Sequence, residues 1–220
     1  GVDLVAVADP GGDQHGVAGG IPLLDSIEEL IATGIAYCMV AVPTLYHAPV
    51  GLALAEAGVH AMIEKPLAGD TPSARKLTDA FAAKGLVGAV GHIERYNPAL
   101  QSARARLEAG ELGAVYQVTT RRQGPFPARI ADVGVVKDLA THDIDLTAWV
   151  TQQAFVSVGA RTATKSGREF EDLVAVPGLM DDGTVTNHLV NSLSPLKERV
   201  TPNTGERGPF VDATLTAALP

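Results

Sequence analysis

The sequence has 220 residues, of which 46% are hydrophobic and 19% charged, so it can bury a sizeable core and is not expected to be disordered. Its 25 acidic and 17 basic residues give a formal net charge of -8. This is the wrong sign for binding nucleic-acid phosphates, and we expect no nucleic-acid partner. The single Cys38 excludes an intrachain disulfide and a Cys-rich zinc site, and it fits a reducing cytoplasm. No run approaches the ~18 apolar residues of a membrane helix, so we expect no membrane partner.

The first part of the chain, residues 1–93, alternates between apolar runs and helical patterns. Three helices are expected. The first begins near Asp25, where Asp25 and Glu28 resemble a capping box, the second includes residues 50–57, and the third begins with Thr71 as its N-cap. Uniformly apolar strands separated by helices predict an α/β fold with a parallel sheet, which binds ligands at the carboxyl ends of its strands. The expected strands are residues 2–8, 36–42, 60–63 and 86–90.

The pattern changes near residues 92–97, and we expect a second domain over residues 94–220. Asn97 and Pro98 have the residue types of an N-cap and a first helical position. Asp181-Asp182-Gly183 is a hairpin signal between two strand-like runs, which predicts an α+β domain with a mostly antiparallel sheet. Helices are expected at 100–107 and 138–150, and strands at 113–120, 154–163, 172–180, 184–193 and 208–216.

Asp9 ends the first apolar run, and dinucleotide-binding folds hydrogen-bond the adenosine ribose with an acidic side chain at such a place. A turn-forming aspartate before Pro10 is the simpler alternative. The glycines between residues 11 and 16 match neither G-x-G-x-x-G nor a P-loop, and they follow the acidic residue instead of preceding it. An apolar strand so close to Gly1 therefore predicts that a first strand and its Gly-rich turn lie upstream of this sequence.

Glu64, Lys65 and Pro66 follow the expected strand 60–63 directly, at the edge where a parallel sheet binds ligands. Pro66 stiffens the chain beside Lys65, as would suit an ammonium held against a substrate hydroxyl or a ribose. A solvated strand end is the alternative.

Asp138 and His142 are four residues apart in an expected helix, so they share one face, and Asp145 lies further along it. A histidine beside a carboxylate suits acid-base chemistry on an alcohol. A metal site on these three residues is a weaker alternative, since one helix offers few ligands, and we expect no metal. An acidic helix N-terminus with an exposed histidine is the structural alternative.

The remaining candidates are two histidines near strand ends and one group of arginines. His47 and His92 lie where a cofactor contact is feasible, whereas His15, His60 and His188 are expected to be structural or solvent-facing. Arg121, Arg122 and Arg129 form a basic patch that would suit an anionic substrate, with a solvated loop as the alternative.

Four motifs in order resemble the Gfo/Idh/MocA family of nicotinamide-dependent oxidoreductases. Residues 42–47 (VPTLYH) are similar to its cofactor loop and residues 57–66 (AGVHAMIEKP) to the signature around its catalytic lysine. Residues 91–98 (GHIERYNP) resemble its entry into the second domain, and residues 138–142 (DLATH) its D-x-x-x-H helix. Residues 121–138 resemble a branch that is UDP-N-acetylglucosamine 3-dehydrogenase-like.

The resemblance implies a Rossmann-type domain at residues 1–93, lacking its first strand and Gly-rich turn, and a substrate and oligomerisation domain at 94–220. It implies hydride transfer between NAD, or NADP, and a secondary hydroxyl of a sugar, cyclitol or nucleotide sugar. Oligomers would form through the sheet of the second domain. A non-catalytic protein that senses NAD(H) or a sugar on the same fold is the alternative function.

The resemblance also implies roles for single residues. His142 would be the acid-base group, Lys65 would polarise the reacting oxygen and contact the nicotinamide ribose, and Asp138 would hold the sugar. Asp9 would favour NAD, because a 2'-phosphate would meet its negative charge. The family pattern is not complete, since Thr44 stands where asparagine is common and Lys137 where an apolar residue is usual. The other implied cofactor residues are Pro43, Thr44, His47 and Glu64, and the implied substrate residues are Arg95, Asn97 and Arg122.

Overall fold

The computed structural model describes residues 2–14, 16, 18–126 and 133–213. The chain divides into two compact units, Gly1–Gly91 and His92–Pro220. Among the described residues, the helices are all too short or too polar to cross a membrane.

All strand pairs of the first unit are parallel, as predicted, but they form two sheets, β1–β2 and β3–β4–β5. In the described part of this unit, no strand pairing joins one sheet to the other. The predicted strand 2–8 is reduced to its last two residues, because only these find a partner, at Leu23–Leu24. The elements are β1 (Val7–Ala8), β2 (Leu23–Leu24), α1 (Ile27–Ala32), β3 (Tyr37–Val40), α2 (Thr44–Glu56), β4 (His60–Ile63), α3 (Thr71–Ala83) and β5 (Gly88–Val90).

The core of the first unit lies between the three-stranded sheet and helices α2 and α3. Strand alternation buries Val40 and Ile63 against Leu54 and Leu77. Gly51 allows this close packing, because a Cβ at this position would lie 2.6 Å from Leu77 and 2.7 Å from Ile63. An alanine here would have to displace both side chains.

Two helix starts differ from the prediction by one residue. Ser26, not Asp25, is the N-cap of α1 and accepts from the Glu29 amide at 3.2 Å, while the Glu29 side chain accepts from the Asp25 amide, one residue before the cap, at 3.1 Å. Asp70, not Thr71, is the N-cap of α3 and accepts from the Ser73 amide at 2.8 Å.

The second unit is built on a seven-stranded sheet in the order β12-β11-β6-β10-β9-β7, with β8 beside β9. Its pairs are antiparallel except β6–β10, so the predicted α+β class is confirmed. The helices are α4 (Pro98–Glu108) and α5 (Thr141–Thr151), with a 3₁₀ turn at Ile93–Tyr96 and a π-helical turn at Val136–Ala140. The strands are β6 (Val115–Pro125), β7 (Phe155–Val158), β8 (Arg161–Ala163), β9 (Leu173–Met180), β10 (Val185–Asn191), β11 (Leu193–Gly205) and β12 (Gly208–Ala213).

Strand β11 is the main element that the sequence pattern does not predict. Its residues carry two prolines and several charges, without an apolar alternation. It pairs with β6 through polar contacts, because Glu198 lies opposite Gln123 and accepts from its side chain at 2.7 Å.

The two faces of this sheet differ in character. On one face Val118, Val174 and Val190 are buried, the last two in a cluster with residues of the π turn. The other face, here termed the open face, is exposed along β6, β9 and β10. It carries Gln117, Thr119, Pro177, Leu179, Val185, Asn187 and Leu189.

Candidate functional site

The carboxyl ends of β3, β4 and β5 converge at one edge of the first unit. The Glu64 amide donates to the Val40 carbonyl at 3.0 Å, and the Gly91 amide donates to the Ile63 carbonyl at 2.8 Å. Glu64 and Lys65 therefore leave β4 at the edge where parallel sheets bind ligands.

The Glu64 side chain packs against its neighbours at this edge. Its Oε2 accepts from the Lys65 amide at 3.2 Å, and a Cβ at Gly91 would lie 2.8 Å from Oε1. Lys65 is half-buried, and the Lys65–Pro66 peptide is cis. The predicted pair thus lies on a well-packed turn, not on a loose strand end.

His47 connects the two predicted cofactor segments. It is 1% exposed, and its Nδ1 and Nε2 lie 2.8 Å from the Pro66 carbonyl and 2.9 Å from the Val42 carbonyl. Both ring nitrogens are thus engaged by the backbone. This geometry gives His47 a scaffold role, and its direct contact with a cofactor stays a prediction that the structure does not favour.

Pro43 and Thr44 begin helix α2, with Pro43 as its N-cap. The Tyr46 amide donates to the Pro43 carbonyl at 2.8 Å, and Pro43 itself is exposed. The amino-terminal end of a 13-residue helix lies here, where amide groups and the helix dipole favour anions.

Asp9 lines a cavity of about 270 Å³ just after β1. Its Oδ1 accepts from the Gly11 amide at 2.8 Å, so a local turn fixes the carboxylate at the cavity wall. This volume is slightly below the lower end for small-molecule sites, about 300 Å³. The other lining residues are Val7, Gly12, Asp13, Gln14, Ala18 and Leu23.

Asp138 and His142 lie in the second unit, both half-buried, but not on one regular helix as predicted. Asp138 belongs to the π turn and His142 to the first turn of α5. The amide of Thr141 donates to the Val136 carbonyl five residues earlier, which closes the π turn. The expected regular helix therefore begins with a wider π turn, a feature that often marks functional sites.

A buried ionic network lies next to His142 in the sequence. Arg122 is 4% exposed and donates from Nε and Nη2 to Asp143, each at 2.9 Å, and from Nη1 to Glu94 at 3.0 Å. Arg199 also reaches Glu94, at 3.4 Å. Burial raises the pKa of Asp143 although Arg122 acts against this, and the two carboxylates raise the pKa of Arg122 although burial opposes it.

Arg121 and Arg122 do not form the predicted basic patch, because they lie on opposite faces of the sheet. Strand alternation sends Arg122 to the covered face and Arg121 to the open face, where Arg121 pairs with Glu198. Arg129 lies outside the described residues. Contact of Arg122 with a substrate stays a prediction, and its two carboxylate partners give it a structural role.

Two more predicted substrate residues also have structural contacts. Arg95 donates from Nε to Asp145 at 2.9 Å and from Nη2 to its second oxygen, and His92 lies 3.2 Å from the same carboxylate. Asn97 caps α4, accepting from the Ala99 amide at 3.0 Å. In the part of the chain that the structure describes, no three His, Cys, Asp or Glu residues are grouped as metal ligands.

His188 lies on β10, on the covered face of the sheet in the second unit. It is fully buried, 2.9 Å from the Thr120 hydroxyl, and burial lowers its pKa to about 4. Its ring is neutral at pH 7, and it has no access to solvent. This agrees with the expected structural role.

Sequence reasoning missed three residues around the Asp138–His142 segment: Glu94, Glu171 and Arg199. Glu171 accepts from the Val136 amide at 3.0 Å, across 35 residues of sequence. No local pattern marks such a contact. The one available signal is Gly134, whose missing side chain makes room for the Glu171 carboxylate.

Two family models match the chain and together cover most of it. An NAD-binding Rossmann-fold model of the oxidoreductase family matches residues 1–92, and the GFO/IDH/MocA C-terminal domain matches residues 100–209. The boundary between the matches lies close to the boundary of the two compact units.

Individual proteins agree with these models. A UDP-N-acetylglucosamine 3-dehydrogenase of Acidithiobacillus ferrooxidans is 36% identical over 74% of this chain and 50% of its own length. A myo-inositol dehydrogenase of Streptomyces leeuwenhoekii is 32% identical over 89% of this chain and 63% of its own. The structure of the WlbA dehydrogenase of Bordetella pertussis, in complex with NADH and UDP-GlcNAcA, superposes with a TM-score of 0.87 at 25% identity, covering 95% of this chain and 70% of that one. The chain thus spans between half and two thirds of these two sequence relatives, and it belongs to the Gfo/Idh/MocA family of oxidoreductases.

Proposed function

We propose that this protein transfers a hydride between NAD and a secondary hydroxyl of a sugar, a cyclitol or a nucleotide sugar. The observation that carries the proposal is the half-buried pair of Asp138, on the π turn, and His142, on the first turn of α5, next to a buried ionic network. A protein that only senses NAD(H) or a sugar needs no acid-base pair, so the pair favours an enzyme over that alternative.

Oxidation of a secondary alcohol to a ketone releases a hydride from carbon and a proton from oxygen. Bound NAD supplies the hydride acceptor. We assign the proton to His142, because imidazole takes up and returns protons near neutral pH. Asp138 orients the substrate or the imidazole ring, and the Lys65 ammonium stabilises the negative charge that develops on the reacting oxygen.

The residues of the first unit fit a dinucleotide. Asp9 lines the cavity after β1, and its carboxylate is an acceptor of the kind that binds ribose hydroxyls. Pro43 and Thr44 provide a helix start that favours the cofactor's phosphates. Glu64 and Lys65 follow β4 at its carboxyl end, where a parallel sheet binds ligands. We therefore propose NAD as the cofactor, with NADP as the second choice.

The substrate class rests on the relatives. One of them is named for UDP-N-acetylglucosamine and another for myo-inositol, and the WlbA structure holds UDP-GlcNAcA. All three are ring compounds with secondary hydroxyls, so oxidation of a ring hydroxyl is the shared chemistry. Within this class, the resemblance of residues 121–138 to UDP-N-acetylglucosamine 3-dehydrogenase-like proteins supports a nucleotide sugar as the substrate.

The test is a calorimetric titration with NAD and NADH, followed by a substrate screen read by nicotinamide absorbance. The screen contains UDP-N-acetylglucosamine, its uronic acid and myo-inositol, with a Lys65→Ala variant as the inactive control. A version extended upstream by the expected strand and Gly-rich turn is titrated in parallel, because those parts would bind the pyrophosphate. Binding by neither version would contradict the proposal, and binding without turnover by any substrate would favour the sensor alternative.

Replacing Asp9 by alanine should shift the cofactor preference from NAD toward NADP. The carboxylate repels a 2'-phosphate and accepts from the ribose hydroxyls of NAD, and the variant loses both effects. We expect the ratio of kcat/KM for NAD over NADP to fall by roughly tenfold or more, which corresponds to about 1.4 kcal/mol. Asp13→Ala is the matched control on the same cavity, and an unchanged ratio in Asp9→Ala would remove Asp9 from the ribose site.

We propose that the open face joins copies of this chain. Val185 is 50% exposed, Leu179 39% and Leu189 37%, and exposed apolar groups on one face of a sheet favour association. Replacing Val185 and Leu189 by lysine should lower the molar mass measured by light scattering, while the unfolding midpoint of the subunit stays within a few degrees. The same double change to threonine, which keeps strand propensity, is the control, and an unaltered mass in the lysine variant would refute this interface.

A further inference from the structure

Glu171 and Gly134 together hold the start of the π turn that carries Asp138. The Glu171 carbonyl accepts from the Val135 amide at 3.0 Å, and its side-chain Oε1 accepts from the Val136 amide at 3.0 Å. A methyl group at Gly134 would overlap the Glu171 carboxylate. The glycine thus leaves the space that the carboxylate fills.

Val136 is linked through the backbone to both proposed catalytic residues, Asp138 and His142. The Val136 amide is bound by Glu171, while its carbonyl accepts from the Thr141 amide. Asp138 follows Val136 by two residues, and His142 follows Thr141 directly. Val136, held through both its amide and its carbonyl, therefore fixes the backbone on which both side chains stand.

Glu171 is itself firmly anchored by the residue that follows it. Asp172 is fully buried, its backbone bonds Ala163 and Ser192, and its Oδ2 accepts from the Lys165 and Ser166 amides at 2.8 and 2.6 Å. Strand β9 begins one residue later, at Leu173. Glu171 thus fixes the start of the π turn relative to the sheet.

We propose that Glu171 is a positioning residue, which sets the π turn and thereby the placement of Asp138 and His142. This inference rests on the proposed function for its catalytic consequence. A hydrogen-bond acceptor is what the geometry requires at this place, not a negative charge, because the partner is a neutral backbone amide.

The test compares three variants with the parent protein. Glu171→Gln keeps the acceptor Oε1, so its kcat should stay within about threefold of the parent. Glu171→Ala removes the acceptor and Gly134→Ala displaces it, so each should lower kcat by roughly 10- to 100-fold, as expected when catalytic groups shift by about 1 Å. The KM for NAD should change less than twofold in all three. Glu169→Ala, an exposed position two residues before Glu171, is the control that should match the parent.

Hydrogen exchange at the Val136 amide separates failure of this inference from failure of the proposed function. Exchange should accelerate at least tenfold in Glu171→Ala and remain slow in Glu171→Gln, whether or not the protein is a dehydrogenase. Parent-like exchange at Val136 in Glu171→Ala would overturn the clamp. Fast exchange with parent-like kcat would overturn its catalytic role, and equal losses of kcat in the Gln and Ala variants would show that charge matters instead of the hydrogen bond.

Discussion

Replacing His142 by alanine should lower kcat by about 10²- to 10⁴-fold, the usual contribution of a general base, while leaving the protein folded. The side chain is half-buried on the first turn of α5 and is not part of the cores that stabilise either unit. We therefore expect the unfolding midpoint to move by less than about 3 °C. Initial rates of NADH formation and a thermal unfolding curve check both statements.

A second substitution at this position distinguishes proton transfer from binding. His142→Gln retains a side chain that can hydrogen-bond a hydroxyl, but an amide cannot take up its proton. It should therefore be as inactive as His142→Ala. Lys137→Ala, an exposed position on the adjacent π turn, is the control and should keep parental rates. Parental turnover in the Gln variant would show that His142 binds the substrate without acting as its base.

Local sequence signals were sufficient for much of the fold. Strand β4 spans His60–Ile63, the residues that the apolar run predicts, because a short uniformly apolar segment between turns has few alternatives. Asn97 caps α4 as expected, and Gly183, with φ +90°, closes the predicted hairpin between β9 and β10. In each case the residues that determine the structure are neighbours in sequence.

The features that were missed depend on partners far away in sequence. Strand β11 has no apolar alternation, and it is held by side chains such as Glu198 that pair across to β6. The π turn at Val136–Ala140 replaces only the start of the predicted helix 138–150, and its clamp, Glu171, lies 35 residues from Val136. Periodicity alone favours a regular helix there, since it does not record tertiary contacts of this kind.

The candidate site shows the same division between local and distant information. The types of the proposed catalytic residues could be chosen from motifs, because acid-base chemistry and strand ends limit the choice. Motifs could not predict which of these side chains are buried. Arg121 and Arg122 are adjacent and chemically identical, yet only strand register decides that Arg122 is buried with Asp143 while Arg121 faces outward.

Replacing Arg122 by methionine should lower the free energy of unfolding by about 3–5 kcal/mol, the cost of removing one partner from a buried ion pair. Asp143 is 2% exposed and would lose its cation, while Glu94 would keep Arg199 at 3.4 Å. The loss of stability therefore comes mainly from the Asp143 carboxylate, which is left without its cation. Urea unfolding of the variant and the parent measures it.

Two further variants decide whether the lost charge pair is the cause. Arg122→Met combined with Asp143→Asn removes the stranded charge and should recover at least about 1 kcal/mol, as expected for coupled neighbours. Arg121→Met, the adjacent arginine, breaks only a partly exposed pair with Glu198 and should cost at most about 1 kcal/mol. Equal costs at the two arginines would contradict the assignment of Arg122 as the centre of a buried network, because only burial distinguishes these neighbours.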